Sequence, residues 1–273
     1  MIIDFHTHVF SEKIAAAAVN KLEKGGRVKA CTDGTADGLL KHMESSGVDV
    51  SVNLPVLTKP SQFDTVLKFA IELNERAALA GEGEKKIISF AGMHPDIEDY
   101  KEKLLLVKES GILGIKIHPD YQGTFFDDEK YVRILAEAKR LGLITVTHAG
   151  LDGAYVGQRI KCTPRRVKRL LDKIGGYDKL VLAHFGGNRL YSKAYRILAG
   201  KDVYFDTAFT MPFVSESKFK KMAKKHGYDK ILFATDSPWR NQSVDLSILK
   251  SFSLGEEAEN RILYENAREL LKL

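Results

Sequence analysis

The chain has 273 residues, and its 42 Lys and Arg against 36 Asp and Glu give a formal net charge of +6. A composition of 44% hydrophobic and 29% charged residues is typical of a protein that buries a substantial core, and it excludes disordered, collagen-like and coiled-coil chains. No apolar run approaches the ~20 residues that cross a bilayer, and the N-terminal sequence MIIDF reads as a strand, so we expect a cytoplasmic protein without a membrane partner.

Charge distribution and cysteine content exclude two further classes. The basic residues fall in short helical clusters such as SKFKKMAKKH, where Lys218, Lys221 and Lys225 share one face, which is typical of a solvated helix. We therefore expect no nucleic acid partner, because a nucleic-acid footprint concentrates charge and usually interleaves aromatic residues. The two cysteines, Cys31 and Cys162, are too few for a disulfide scaffold and are predicted to be free thiols.

Short apolar runs rich in β-branched residues alternate along the whole chain with longer stretches of helical periodicity. That alternation builds parallel sheets from βαβ units. The predicted strands are Ile2–His8, Val48–Leu54, Ile87–His94, Ile112–His118, Leu143–His148, Leu180–His184, Val203–Thr207 and Ile231–Asp236.

The helical stretches are bounded by residues that start and stop helices. Thr163 precedes Pro164, which places proline at the first helical position, and Gly47, Gly111 and Gly142 stand directly before predicted strands. The predicted helices are Thr35–Ser46, Ser61–Ala80, Tyr100–Ser110, Asp128–Leu141, Thr163–Ile174, Tyr191–Ala199, Ser215–His226, Val244–Ser251 and Glu256–Leu271.

Eight β/α units without an intervening linker predict one domain over residues 1–273, an α/β fold of the (β/α)8 TIM-barrel class with an additional C-terminal helix. A doubly wound open sheet is the alternative. No GxGxxG sequence follows the first strand, which argues against dinucleotide binding.

The chemically informative residues stand where the predicted strands end, which in a barrel is the location of the active site. His6 and His8 share one face of the first strand, and His148, His184 and Asp236 end the fifth, sixth and eighth strands. Imidazoles and a carboxylate are suitable ligands for a metal such as zinc. A pair of hydrogen-bonded rim histidines is the alternative for His6 and His8 alone, but all five together favour a common ion.

Taken in order, the motifs around these residues resemble the amidohydrolase superfamily. The resemblance is closer to the branch related to aminocarboxymuconate semialdehyde decarboxylase, often called amidohydrolase-related or amidohydrolase 2, and it spans nearly the whole chain. The matching stretches are DFHTH at Asp4–His8, GIKIHPDYQG at Gly114–Gly123, VTHAG at Val146–Gly150, LAHFGG at Leu182–Gly187, VYFDT at Val203–Thr207 and ATDSPW at Ala234–Trp239.

The resemblance implies one divalent metal ion, preferably Zn²⁺, held by His6, His8, His148 and Asp236. In related decarboxylases a histidine at the place of His184 handles protons or polarises the substrate, whereas in binuclear members it binds a second metal. Lys116 takes the place of the strand-four glutamate of related nucleases. In other members a lysine on that strand is carbamylated and bridges two metals.

His118 lies two residues closer to the mouth than Lys116 on the same face of the strand. We therefore prefer one metal and an unmodified Lys116, with a second metal as the alternative.

The residues fit two reactions. A metal-dependent hydrolase would act on a small amide, lactone or ester with a metal-activated water, and Asp236, His184 and Lys116 would be its catalytic residues. A non-oxidative decarboxylase of a small carboxylic acid would use the same residues to protonate carbon. We prefer hydrolysis; a metal-binding barrel without catalysis and a metal-dependent nuclease are further alternatives.

A small-molecule substrate is the expected partner, and three further residues are candidates to bind it. His118, Arg189 and His94, the last in GMHPD, stand at or just beyond strand ends. Asp206 is expected to support the site from behind. His226 falls on a predicted helix away from the mouth and is expected to be exposed to solvent. The sequence leaves open whether the chain forms a homo-oligomer.

Overall fold

A computed structural model describes all residues, 1–273. Its nine strands are all parallel and form two hydrogen-bonded sheets, with strand order β1-β2-β3 and β4-β5-β6-β7-β8-β9. The strands are β1 Ile3–Thr7, β2 Val50–Asn53, β3 Lys86–Ser89, β4 Ala91–Gly92, β5 Gly114–Ile117, β6 Ile144–Thr147, β7 Leu180–Leu182, β8 Tyr204–Asp206 and β9 Ile231–Leu232.

Backbone hydrogen bonds join the two sheets into one closed barrel. Strands β3 and β4 are separated only by Phe90, whose N–H donates to the carbonyl of Asn53 at 3.0 Å, so together they form one barrel strand. At the other seam Phe5 N–H donates to Phe233 O at 2.9 Å, and Asp236 N–H donates to His6 O at 2.8 Å. Eight barrel strands result, which confirms the predicted (β/α)8 fold.

Helices follow the strands and cover the barrel, and none of them is both long and apolar enough to span a membrane. Four single-turn 3-10 segments lie at 60–62, 153–155, 211–213 and 228–230. The helices are α1 Glu12–Gly26, α2 Ala36–Ser46, α3 Phe63–Leu79, α4 Tyr100–Glu109, α5 Glu129–Leu141, α6 Pro164–Ile174, α7 Tyr191–Ile197, α8 Glu216–His226, α9 Gln242–Ser251, α10 Glu256–Asn260 and α11 Asn266–Leu271.

Capping residues explain several helix starts. The Thr163 side chain accepts from Arg166 N–H at the start of α6, and the Thr35 side chain accepts from Gly38 N–H at the start of α2. The predicted C-terminal helix is confirmed, except that a π-helical turn at Arg261–Glu265 separates α10 from α11. There Ile262 O accepts the N–H of Phe233, so the widened turn ties the helix to the last strand.

One expectation was wrong, and one helix was missed. Helix α1 was not predicted, although Ala, Lys and Glu, which favour helices, dominate its sequence; its only buried residue is Ala15. His226 is buried rather than exposed, because its ring stacks on Phe205 with centroids 3.8 Å apart. Cys31 and Cys162 are free thiols, as predicted.

Gly114, the first residue of β5, leaves room for the ring of Phe90 inside the barrel. A Cβ at Gly114 would lie 2.7 Å from the Phe90 ring and 2.5 Å from the carbonyl of Ile144, closer than side chains approach. Because only glycine fits there, the Phe90 ring packs against β5 below Lys116, which shares the Gly114 face. Phe90 also meets Phe5 edge to face at 6.0 Å, so an aromatic core closes this part of the barrel.

Candidate metal centre and active site

The first and last barrel strands bring three metal-ligating side chains together at the mouth. His6 and His8 leave the end of β1 with their Nε2 atoms 3.2 Å apart. Asp236, which follows β9, places Oδ1 3.1 Å from His8 Nε2 and 3.5 Å from His6 Nε2. Residues about 230 positions apart in the sequence therefore converge as the sequence pattern predicts.

The Nδ1 atoms of His6 and His8 already have hydrogen-bond partners. His6 Nδ1 lies 2.8 Å from Asp206 Oδ2, and His8 Nδ1 lies 2.9 Å from the carbonyl of Leu54. A carbonyl or an ionised carboxylate can only accept, so both Nδ1 atoms carry the hydrogen. When the rings are neutral, both Nε2 atoms present lone pairs toward one another and toward Asp236.

Three acceptors this close repel each other unless a cation lies among them. Burial, and next the Lys116 ammonium, lower the pKa of His6 well below its ordinary value, so His6 is neutral at pH 7. Burial would raise the pKa of Asp236, but a proton shared with His8 Nε2 and the charges around the carboxyl hold that pKa below its usual range. A proton or a divalent metal ion can satisfy this arrangement, and the donor set suits a metal.

Asp206 supports His6 from behind, as expected. Its side chain is fully buried, and its Oδ1 accepts the backbone N–H of His184 at 2.8 Å and of Ala208 at 3.1 Å. Burial raises the pKa of Asp206 to about 6, so the carboxyl is mainly ionised at neutral pH. This is the carboxylate–histidine arrangement that fixes ring orientation at metal sites.

Lys116 lies beneath the three acceptors. Its Nζ is 3.0 Å from His6 Nε2 and the residue is 1% exposed. Burial lowers the pKa of Lys116 to about 8, although the carboxylates of Asp206 and Asp236 oppose that shift. The ammonium therefore donates to the same lone pair of His6 that a metal would use.

His148 and His184 form a second imidazole pair beside this cluster. His184 Nδ1 donates to the carbonyl of Ala208 at 2.9 Å, and its Nε2 is 2.9 Å from His148 Nδ1. The ring centroid of His184 is 5.5 Å from that of His6. His148 is predicted as a ligand of the same ion. In the structure its Nδ1 is hydrogen-bonded to His184 and not to His6, His8 or Asp236.

A second group of ligand-type atoms, from His118, His148 and Asp152, lies within 4.8 Å of one another. The rings of His118 and His148 are stacked, 4.2 Å apart with 16° between their planes. Lone pairs lie in the ring plane, so two stacked rings cannot direct them at one ion.

The hydrogen of the His118 ring lies moreover on the nitrogen nearer Asp152. His118 Nδ1 accepts from Tyr121 N–H at 3.3 Å, which leaves the hydrogen on Nε2, 3.3 Å from Asp152 Oδ2. This group is therefore a wall of stacked rings beside a carboxylate and not a metal site.

The other two predicted substrate-binding residues lie apart from the cluster. His94 Nδ1 accepts the backbone N–H of Asp96 at 3.2 Å within its own turn. Arg189 is exposed, and its guanidinium lies over the ring of Phe213, 4.2 Å from the centroid. Neither side chain is hydrogen-bonded to the histidines of the mouth.

A closed barrel with paired histidines and an aspartate at its mouth defines a class of metal-site TIM-barrel proteins. Within that class, residues 3–273 match the family model described as Amidohydrolase. The chain belongs to this family, which confirms the resemblance seen in the sequence. No curated protein sequence matches the chain.

Solved structures share the fold over the full chain. Dihydroxybenzoic acid decarboxylase from Polaromonas sp., solved with manganese and the inhibitor 2-nitroresorcinol, is 16% identical, with a TM-score of 0.73 over 100% of this chain and 97% of that chain. 5-Carboxyvanillate decarboxylase from Novosphingobium aromaticivorans, complexed with manganese and 4-hydroxy-3-methoxy-5-nitrobenzoic acid, is 14% identical, with a TM-score of 0.70 over 100% and 96%. An uncharacterized TIM-barrel protein from Bordetella bronchiseptica is 14% identical, with a TM-score of 0.75 over 99% and 98%.

Proposed function

We propose that the chain is a metal-dependent, non-oxidative decarboxylase of a small aromatic or unsaturated carboxylic acid. The observation that carries the proposal is the convergence of His6, His8 and Asp236 at the mouth of a barrel that resembles manganese-containing decarboxylases over their whole length. Decarboxylation was our second hypothesis from the sequence, and these similarities favour it over hydrolysis.

The charges at the mouth suit an acidic substrate. His6, His8 and Asp236 would hold the divalent ion, and His148 would join them as a ligand through Nδ1, with His184 beside it. The ion would supply the positive charge that binds and orients the substrate carboxylate. The Lys116 ammonium adds a second positive charge at the base of the site.

Asp236 is the group that we assign to proton delivery. The C–CO₂⁻ bond breaks, its electron pair stays on carbon, and a proton from Asp236 forms the new C–H bond as CO₂ leaves. The carboxyl of free Asp236 ionises readily, but an anionic substrate beside it raises its pKa and so favours uptake of the proton. The side chain is 12% exposed, which gives it access to the mouth.

Aromatic side chains beside the wall favour a planar substrate. Tyr121 contacts the His118 ring edge to face at 4.3 Å, and the rings of Tyr121 and Tyr155 lie 5.4 Å apart. Such rings contact the faces and edges of an aromatic acid favourably. His118 and Asp152, whose Nε2 and Oδ2 atoms lie 3.3 Å apart, would bind polar groups on the ring of that acid.

Hydrolysis of a small amide, lactone or ester is the second candidate, and the match to the Amidohydrolase family favours it. In that reaction Asp236 would accept a proton from the attacking water instead of donating one to carbon. The two candidates therefore require the same residues and differ in their products.

The experiment is a product assay on protein loaded with Mn²⁺ or Zn²⁺. Hydroxybenzoic acids are offered in one set of reactions, and small lactones, esters and amides in another, with release of CO₂ measured against formation of a new acid. We expect CO₂ and a decarboxylated phenol. The D236N variant should lower turnover about 10²- to 10⁴-fold, the range for loss of a proton-transfer group.

Asp172→Asn is the matched control, because Asp172 is an exposed helix residue that pairs only with Lys168. Its turnover should equal that of the wild type. A new acid without CO₂ would establish the hydrolase instead. Metal bound without turnover in either set would favour a metal-binding barrel that lacks catalysis.

Metal identity is part of the proposal. Zinc is the ion that the sequence favours, whereas the similar structures contain manganese, and two imidazoles with a carboxylate bind either. Elemental analysis of protein purified without added metal should find about one divalent ion per chain. Two ions, with the added mass of a carbamate on Lys116, would establish the binuclear alternative.

A further inference from the structure

Two buried polar atoms near the mouth face each other without a partner. Asp120 is 3% exposed and lies in the loop after β5, where its Oδ1 accepts the N–H of Lys161 at 3.2 Å. Its Oδ2 has no hydrogen-bond partner and lies 4.0 Å from His148 Nε2, which also has none. Buried polar atoms without partners are rare and call for an explanation.

The hydrogen bonds around His148 determine which of its ring nitrogens carries the hydrogen. The carbonyl of Ala208 accepts from His184 Nδ1, so His184 Nε2 carries no hydrogen and must accept. His148 Nδ1 therefore donates to it at 2.9 Å. A neutral His148 is then left with a lone pair on Nε2, pointing at an ionised Asp120 that can only accept.

Moving the proton of His148 from Nδ1 to Nε2 reverses the pattern. His148 Nε2–H then donates to Asp120 Oδ2 after the two atoms approach by about 1 Å. The same move leaves lone pairs on His148 Nδ1 and His184 Nε2, which lie 2.9 Å apart. Two facing lone pairs repel each other, so that arrangement is stable only when a cation binds there.

We propose that Asp120 is a positioning residue that holds the Nε2–H tautomer of His148 and thereby presents Nδ1 to the metal. Asp206 does the same for His6: its Oδ2 accepts from His6 Nδ1–H at 2.8 Å, which leaves the lone pair on His6 Nε2. Asp120 Oδ2 is 4.0 Å from His148 Nε2, whereas Asp206 Oδ2 is 2.8 Å from His6 Nδ1, so the contact at Asp120 has to shorten to form the corresponding hydrogen bond. The proposal rests on the metal centre of the proposed function but not on its reaction.

Substitution by asparagine distinguishes this role from simple packing. In Asp120→Asn the amide oxygen can still accept from Lys161 N–H, so the loop keeps its hydrogen bond. The amide NH₂ then faces His148 Nε2 and donates to it, which locks the proton on Nδ1. The variant should therefore fold normally and yet bind metal more weakly.

The test measures Zn²⁺ affinity by competition with a chelator, with no substrate present. We expect Asp120→Asn and Asp120→Ala each to weaken binding about 10- to 100-fold, the usual effect of losing a carboxylate behind a ligand. In a His148→Ala background the same substitutions should change the affinity less than about twofold, because the residue through which Asp120 acts is gone.

Nitrogen-15 chemical shifts of the His148 ring provide the second readout, since they report which nitrogen carries the hydrogen. Zinc-loaded wild type should show hydrogen on Nε2, and Asp120→Asn should show it on Nδ1. The exposed Asp172→Asn serves as the control for both measurements and should match the wild type.

Three results would overturn the proposal. They are wild-type affinity in Asp120→Asn, an equal loss of affinity with and without His148, or an unchanged His148 tautomer on zinc binding. If the wild type itself binds no zinc, the metal centre of the proposed function is wrong, and that outcome is distinct from a failure of Asp120 alone.

Discussion

The two sides of the barrel mouth contain the same kinds of side chain in different arrangements. On the side of β1 and β9, His6, His8 and Asp236 aim their free acceptors at one point. On the side of β5 and β6, His118 and His148 stack face to face, and His118 Nε2 lies 3.3 Å from Asp152 Oδ2. The difference teaches that proximity of ligand-type atoms does not make a metal site, because ring orientation and the position of the ring hydrogen decide whether lone pairs converge.

The strongest test of this comparison removes one histidine from each side. His8→Ala should lower metal affinity by more than the roughly 100-fold that loss of a hydrogen-bonded partner can cost, because a ligand itself is lost. His118→Ala should leave metal affinity within a few fold of the wild type. Chelator competition on both variants checks the expectation.

The metal-free forms of these two variants should unfold near the wild-type temperature, since rim residues contribute little to barrel stability. Equal loss of metal in both variants would mean that the two sides form one site.

A second pair of substitutions tests the carboxylates behind the rings. In Asp206→Asn the new amide NH₂ faces His6 Nδ1–H, so two donors oppose each other and the His6 ring loses its fixed tautomer. We expect metal affinity to fall about 10- to 100-fold. Asp152→Asn changes the neighbour of His118, keeps an oxygen that can accept Ala154 N–H, and should leave the affinity unchanged. A larger loss in Asp152→Asn than in Asp206→Asn would reverse the assignment of the two sides.

The smallest expected effect concerns a buried histidine outside the mouth. His226 stacks on Phe205 and accepts Gly200 N–H at 3.2 Å, and burial lowers its pKa from 6.5 to about 4. The unfolded chain takes up this proton near pH 6.5, so the folded protein loses stability as pH falls from 6.5 toward 4.

Between pH 7 and 5 the wild type should lose about 2 kcal/mol of unfolding free energy that His226→Gln does not lose. Urea unfolding of both proteins across this range measures the difference. Metal content of the variant should stay unchanged, and parallel pH curves for the two proteins would contradict the expectation.

The strands and most helices could be predicted because their signals are local. Thr163 and Pro164, for example, mark the start of α6 in the sequence itself. Helix α1 was missed although its Ala, Lys and Glu residues favour a helix; it buries only Ala15 and so contributes little to the core. The sequence also gave no sign that His226 is buried, since its stacking partner Phe205 lies on β8 and only the folded chain brings them together.

The convergence of His6, His8 and Asp236 was predictable because parallel strands bring their ends to one mouth. What the sequence could not specify is which nitrogen of each ring is free. The free nitrogen of His8 depends on the backbone carbonyl of Leu54, which residue type does not reveal. That of His148 depends on Asp120, which follows Pro119 and is indistinguishable in the sequence from an ordinary turn residue. Hydrogen positions follow from tertiary contacts and not from residue spacing.

The seam between β1 and β9 has a consequence for how the protein matures. His6 and His8 leave the ribosome early, whereas Asp236 is translated about 230 residues later, which at 5 to 20 residues per second takes roughly 10 to 50 seconds. Metal loading at the proposed centre would therefore be a late event, available only to a nascent chain whose final β/α unit has docked. An ion bound there would clamp the first unit to the last and stabilise the completed ring over partly assembled ones.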